Sequence, residues 1–125
     1  QYAASEALIG DQSSVAEMKN IFKMRRDKIL NKITLIPNVD CVKPHGAFYV
    51  FPDFSYYLGS KTKKNEIINT TEDLSLYFLD QTGVVSVAGE SFGAPNYIRF
   101  SYATSENTIE NSMDLIKESL EKLIF

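Results

Sequence analysis

Tryptophan is absent from these 125 residues, and cysteine and histidine occur once each, as Cys41 and His45. A single cysteine excludes an intrachain disulfide, and one cysteine with one histidine gives no recognisable metal-ligand spacing. Long apolar runs are also missing, since none approaches the roughly 18 residues of a membrane-spanning helix. Nor is there a basic excess. The formal net charge is -3, with 16 acidic against 13 basic side chains, which speaks against nucleic acid or an anionic membrane as the main partner. No internal repeat or low-complexity stretch stands out. What remains is an ordinary globular composition, 44% hydrophobic and 23% charged, at a length that suits one domain with its own core. No signal or transit pattern is legible at the N-terminus, and a reducing, cytoplasmic setting is the expectation.

Residues Gln1 to Leu8 are rich in Ala, Glu and Leu, with no residue ahead of them to cap a helix. They read as the tail of a longer helix, the alternative being a processed or trimmed terminus. After Gly10-Asp11, the apolar residues Val15, Met18, Phe22, Ile29 and Ile33 recur at helical spacing, which predicts an amphipathic helix near 12–34 that fades before Pro37. Lys23, Arg25, Arg26 and Lys28 lie among them, either as a solvated face or as a contact for an acidic surface. Ala47 to Phe51 is apolar at every position, as a strand buried on both faces requires. Ser55 to Asn69, with Lys61, Lys63 and Lys64, reads as an exposed loop.

Thr70 with Asp73 predicts a capped helix near 71–82, with Leu74, Tyr77 and Phe78 facing the core and Gly83 as its stop. Val84 to Val87 reads as a short strand, and Ser105 caps a last helix whose stripe is Ile109, Met113, Ile116, Leu120 and Leu123. The expected class is therefore α+β. A small antiparallel or mixed sheet, with strands near 47–52, 84–87 and 97–102, is covered by helices near 12–34, 71–82 and 106–123.

One residue carries most of the functional signal. In Tyr97-Ile98-Arg99-Phe100-Ser101-Tyr102, strand alternation sends Ile98, Phe100 and Tyr102 to one face and Arg99 to the other. A permanently charged, planar guanidinium placed mid-strand needs an anion, which is either an internal carboxylate or a ligand. His45 in its Pro-His-Gly turn reads as an exposed linker more readily than as a general base. Cys41 reads as a small hydrophobe without an activating partner. Segment Gly89 to Asn96 is long enough to line a site, but it lacks the endings of the phosphate-binding loops.

The ordered blocks Gln1-Tyr2-Ala3-Ala4 to Arg25-Arg26-Asp27, Lys43-Pro44 with Gly46-Ala47-Phe48-Tyr49-Val50-Phe51-Pro52, and Gly83-Val84 through Gly89, Phe92-Gly93 and Ile98-Arg99-Phe100-Ser101-Tyr102-Ala103 cover nearly the whole chain. In order and spacing they resemble the C-terminal, small-domain portion of a class I, fold-type I pyridoxal-phosphate-dependent aminotransferase, most like the bacterial aspartate aminotransferases. His45 stands where that family more often has Glu or another polar residue.

The resemblance implies that residues 1–10 end an interdomain or large-domain helix, that 11–125 form the small domain, and that the large catalytic domain lies upstream. It implies Arg99 as the receiver of the substrate α-carboxylate and, with less support, Phe48 near the substrate entrance, where a core aromatic is an equal reading. The Schiff-base lysine, the aspartate for the pyridinium nitrogen and the phosphate ligands are implied upstream as well, so no catalytic, cofactor-binding or metal-binding residue is expected within the chain. Ser60-Lys61 lacks the sequence context of a Schiff-base site. In the intact protein the implied cofactor is pyridoxal 5'-phosphate, with L-aspartate and 2-oxoglutarate as first-choice substrates and a homodimer as the assembly, and without nucleic acid or membrane partners. The 125 residues alone are expected to bind no cofactor and not to transaminate. Aromatic, alanine or other 2-oxo acid aminotransferases share these blocks, and a stand-alone module that binds an anionic metabolite through Arg99 is the alternative of another class.

Overall fold

Helices α1 (Tyr2–Ile9) and α2 (Ser13–Ile33), strand β1 (Tyr49–Val50), helix α3 (Thr71–Thr82), strands β2 (Val87–Ala88) and β3 (Ile98–Ser101), and helix α4 (Glu106–Leu120) follow one another in a computed structural model that describes all 125 residues. Single 3₁₀ turns at Ser55–Tyr57 and Gly89–Phe92 complete the elements. Local chemistry sets the ends of α3. Thr70 Oγ1 accepts from the Asp73 amide at 3.1 Å while the Asp73 carboxylate accepts from the Thr70 amide at 3.0 Å, so two otherwise orphaned donors are answered. Gly83 then ends the helix at a φ of 72°, where a Cβ would be costly.

The sheet is antiparallel in the order β1-β3-β2. The arginine strand is thus the central one. Ile98 and Phe100 point from β3 into a core shared with Val50 of β1, Leu74 and Phe78 of α3, Ile29 and Ile33 of α2, and Ile109, Met113, Ile116 and Leu120 of α4. Outside this core, Lys28 meets Glu106 at 2.9 Å and Lys32 meets Asp114 at 2.7 Å, tying α2 to α4. Exposed pairs of this kind contribute about 0 to 1 kcal/mol each, so apolar packing dominates the α2–α4 contact. No helix is long and apolar enough to cross a membrane.

The helices and the α+β class agree with the sequence reading, and four details differ. The paired part of β2 is Val87–Ala88, because only there does the segment reach β3, and Val85 is 77% exposed. Segment 47–52 is in ladder register with β3 only at Tyr49–Val50, although the Tyr102 amide donates to Phe48 O at 2.9 Å and the Ile98 amide to Pro52 O at 3.1 Å, and Ala47 leaves the strand with a left-handed φ of 57°. Its second face is not covered, with Phe48 exposed and Tyr49 and Phe51 half-buried. Ser55 to Asn69 is not simply an exposed loop: it buries Tyr57, Ser60, Thr62 and Ile68, and Lys61 bridges both Ile67 and Ile124. Finally, the apolar stripe of α2 divides in two. Ile29 and Ile33 are in the core, whereas Val15 and Met18 are more than half exposed, and α1 buries nothing.

Candidate functional site

Because β3 is central and its neighbours alternate in register, the face opposite the core collects a defined set of side chains. Tyr49 pairs with Ser101 and Val87 with Arg99, so Tyr49 sits diagonally beside Arg99 on one face. The turn after β2 brings Phe92 to the other side. The guanidinium carbon of Arg99 lies 4.5 Å from the centroid of the Tyr49 ring and 4.5 Å from that of Phe92. Phe51 extends this aromatic surface, 5.9 Å from Phe92 edge-on and 5.2 Å from Tyr97.

No carboxylate of the chain answers Arg99. The ion pairs are made by Arg26, Lys28, Lys32, Lys43 and Lys117, and the guanidinium of Arg99 makes no hydrogen bond within the chain. It is half-buried and restrained by two rings while its planar fork of donors stays open. Cation–π contacts of this kind are worth about 0.5 to 2 kcal/mol according to exposure, enough to orient the group but not to replace its hydration. Such a site is suited to a bidentate carboxylate.

Phe48, the other residue singled out, is 39% exposed, with its ring 4.6 Å from Tyr49 and 6.0 Å from Phe22. It touches the Arg99 site only through Tyr49. His45 lies elsewhere, in an open cavity of about 570 Å³ between α2 and the turn at Gly46, with Lys19, Lys23 and Tyr102. Cys41 is half-buried, and burial pushes its thiol above the usual range, away from a reactive thiolate.

Segment Gly89 to Asn96 is closed on itself. The Gly89 amide donates to Tyr97 O at 2.7 Å, Ala94 to Gly89 O at 2.9 Å, Gly93 to Glu90 O at 3.2 Å and Tyr97 to Ala94 O at 3.0 Å, so these four amides are not free to cradle a phosphate. A Cβ on Gly89 would stand 1.9 Å from Ala94 O, so the close backbone approach requires glycine there. Glu90 reaches out of this loop to α3, where its Oε1 accepts from the Thr71 amide at 3.0 Å and its Oε2 from the Thr71 hydroxyl.

Tyr49, Phe92, Glu90 and Thr71 are the members that reasoning from sequence did not assign. Strand parity could have found Tyr49. Phe92 and Glu90 carry no local signal, since their partners are seven and nineteen positions away.

The family model described as aminotransferase class I and II matches residues 1–116. The chain belongs to the class I and II aminotransferases. A probable aspartate/prephenate aminotransferase of Aquifex aeolicus is 42% identical over 98% of this chain and 30% of its own length. An aspartate aminotransferase of Bacillus sp. strain YM-2 is 40% identical over 93% of this chain and 28% of its own. Among solved structures, the aspartate aminotransferase of Rhizobium meliloti superposes with a TM-score of 0.92 at 35% identity, covering 97% of this chain and 30% of that one. The chain thus spans about 30% of the length of the aminotransferases it matches.

Family membership implies pyridoxal phosphate in an intact aminotransferase. The residues present here do not fit that group by themselves. Lys28, Lys32, Lys43 and Lys117 are paired with carboxylates, Lys19 and Lys23 line the His45 cavity, and Lys63, Lys64 and Lys122 line a groove beside Tyr77. Lys61 is exposed, with only its backbone bridged to Ile67 and Ile124. None stands among the ring contacts of Arg99, and the loop amides of Gly89, Gly93 and Ala94 are already used. The open fork of Arg99 therefore stands between Tyr49 and Phe92 without a lysine beside it.

Proposed function

We propose that the intact protein moves an amino group between L-aspartate and 2-oxoglutarate with pyridoxal 5'-phosphate, and that Arg99 receives the substrate α-carboxylate. One observation carries this reading: a half-buried guanidinium, stacked between two rings, without a carboxylate partner in its own chain. When bound, the cofactor supplies the electron sink for amino-group transfer. Arg99 contributes two parallel N–H···O bonds, which fix both carboxylate oxygens and so restrict rotation about the bond to Cα. Tyr49 and Phe92 hold the plane of the fork and keep water from its faces. Aromatic, alanine and other 2-oxo acid substrates carry the same α-carboxylate, so Arg99 does not choose among them. Aspartate is preferred because aspartate occurs in the names of the relatives described above. A cytoplasmic homodimer is the assembly that goes with this reading.

The test is kinetic. In the intact protein Arg99→Lys should retain the cofactor yet lose kcat/KM severely, since an ammonium cannot reproduce the fork. Near-normal kinetics with aspartate would refute the role. For the 125 residues alone, turnover of aspartate with 2-oxoglutarate in the presence of pyridoxal phosphate would refute the reading that the catalytic groups lie outside them. A stand-alone anion-binding module uses the same open arginine but predicts dicarboxylate affinity by this chain alone, measurable by calorimetry.

A further inference from the structure

Phe92 stands at the end of the turn that follows β2. It is 47% exposed, and its ring meets Arg99 and, edge-on, Phe51. Its place is therefore set by the backbone turn Gly89–Phe92. The hydrogen bonds inside that loop fix its shape, but they do not fix how the loop is tilted against the rest of the molecule.

The tilt is set from outside: at the Asn96 end the Phe54 amide donates to Asn96 O at 2.8 Å, and at the Glu90 turn the anchor is Thr71. This residue is fully buried at the first turn of α3. Its amide and hydroxyl both donate to the Glu90 carboxylate, and its Oγ1 also lies 3.1 Å from the Pro95 carbonyl at the far end of the loop. A carboxylate at a helix N-terminus gains further from the unpaired amides there. Burial pushes the Glu90 carboxyl up, but hydrogen bonds from Thr71 and from the amides of Glu90 and Glu72 outweigh it and lower the value, so the acceptor form is the stable one at neutral pH. Phe92 follows Glu90 by two positions in the same tight turn, so motion of one is motion of the other.

We propose that Glu90 is a positioning residue: by anchoring the Gly89–Phe92 turn to Thr71 it holds the Phe92 ring against Arg99, and thereby sets the orientation in which the guanidinium meets a carboxylate. The last clause rests on the carboxylate role of Arg99 proposed above, whereas the anchoring does not, and two readouts separate them.

The first readout is nuclear magnetic resonance of the chain labelled with ¹⁵N-arginine, which reports Arg99 beside only Arg25 and Arg26. Ring currents from Tyr49 and Phe92 shift the Arg99 Nε–H upfield, and Glu90→Ala should abolish most of the part that Phe92→Leu abolishes. Glu90→Gln, which keeps the shape and one acceptor, should lie between the two and guards against a misfolded alanine variant. An Arg99 signal unmoved in both Glu90 variants overturns the proposal.

The second readout is steady-state kinetics of the intact, cofactor-loaded protein. Glu90→Ala should raise KM for the amino acid roughly tenfold while kcat stays within about twofold. Adding Glu90→Ala to Phe92→Leu should cost less than about twofold more, because both act through one contact. Independent, multiplicative losses overturn the coupling. If Arg99→Lys leaves kcat/KM near normal, the carboxylate reading fails, and the resonance experiment alone decides whether Glu90 positions the arginine.

Discussion

Replacing Arg99 by leucine separates a structural arginine from a ligand-binding one. In the fold, the substitution removes two ring contacts at 4.5 Å and no ion pair or hydrogen bond. At about 0.5 to 1 kcal/mol per partly exposed contact, the loss of stability is at most about 2 kcal/mol, and leucine packed between Tyr49 and Phe92 recovers part of it. Breaking a buried ion pair would instead cost about 3 to 5 kcal/mol. Urea denaturation of the 125-residue chain distinguishes these values, with Phe78→Ala, a fully buried ring, as an internal standard expected to cost about 3 to 5 kcal/mol. In the intact protein the same leucine should be severe. Two charge-assisted hydrogen bonds at about 1.5 to 3 kcal/mol each amount to roughly two to four decades in kcat/KM. A stability loss above about 3 kcal/mol would mean that Arg99 has an internal partner, by the same ion-pair reasoning. A kcat/KM unchanged within threefold, roughly 0.6 kcal/mol, would mean that it has no substrate partner.

Other perturbations test the frame around that arginine. Thr70→Ala removes one half of the capping box of α3 and should lower stability by about 1 kcal/mol in urea denaturation. Gly89→Ala places a Cβ 1.9 Å from Ala94 O, and the shift it forces in the Phe92 turn should appear as a changed Arg99 resonance as well as a lower melting temperature. Protonation of Glu90, whose carboxyl is held below its usual range, should weaken the anchor. Its contribution is complete above about pH 4.5, the unfolded value, and is lost as pH falls through the lower folded value, so Glu90→Gln should flatten the acid limb of a stability profile. At the other end of the scale, burial raises the hydroxyls of Tyr57, Tyr77 and Tyr102. The unfolded chain then releases protons first, stability falls as pH rises above about 10, and Tyr77→Phe should soften that fall.

Much of the fold is written locally, and the helices show why. The cap at Thr70, the stop at Gly83 and the cap at Ser105 act over three or four residues, so each is legible without the rest of the molecule. The spacing of Ile109, Met113, Ile116 and Leu120 likewise names a buried face before its partner is known. The strands are less legible. Val84 and Val85 have strand propensity but no neighbour, and only the approach of β3 decides that pairing begins at Val87. Segment 55–69 reads as polar and open because its buried residues, Tyr57, Ser60, Thr62 and Ile68, are spread among lysines and follow no single period.

The arginine divides along the same line. Sequence alone determined that Arg99 leaves the core face of its strand and needs an anion, because side-chain alternation and a permanent charge are properties of the residue and its immediate neighbours. Whether that anion is internal depended on where 16 carboxylates fall in three dimensions, and the tertiary structure alone places them all away from the guanidinium. The same is true of its company. Tyr49 and Phe92 meet Arg99 from opposite sides because β3 lies between β1 and β2, and Glu90 finds Thr71 because the turn folds back on α3. Contacts between residues so far apart in the chain are decided by packing, which no local pattern encodes.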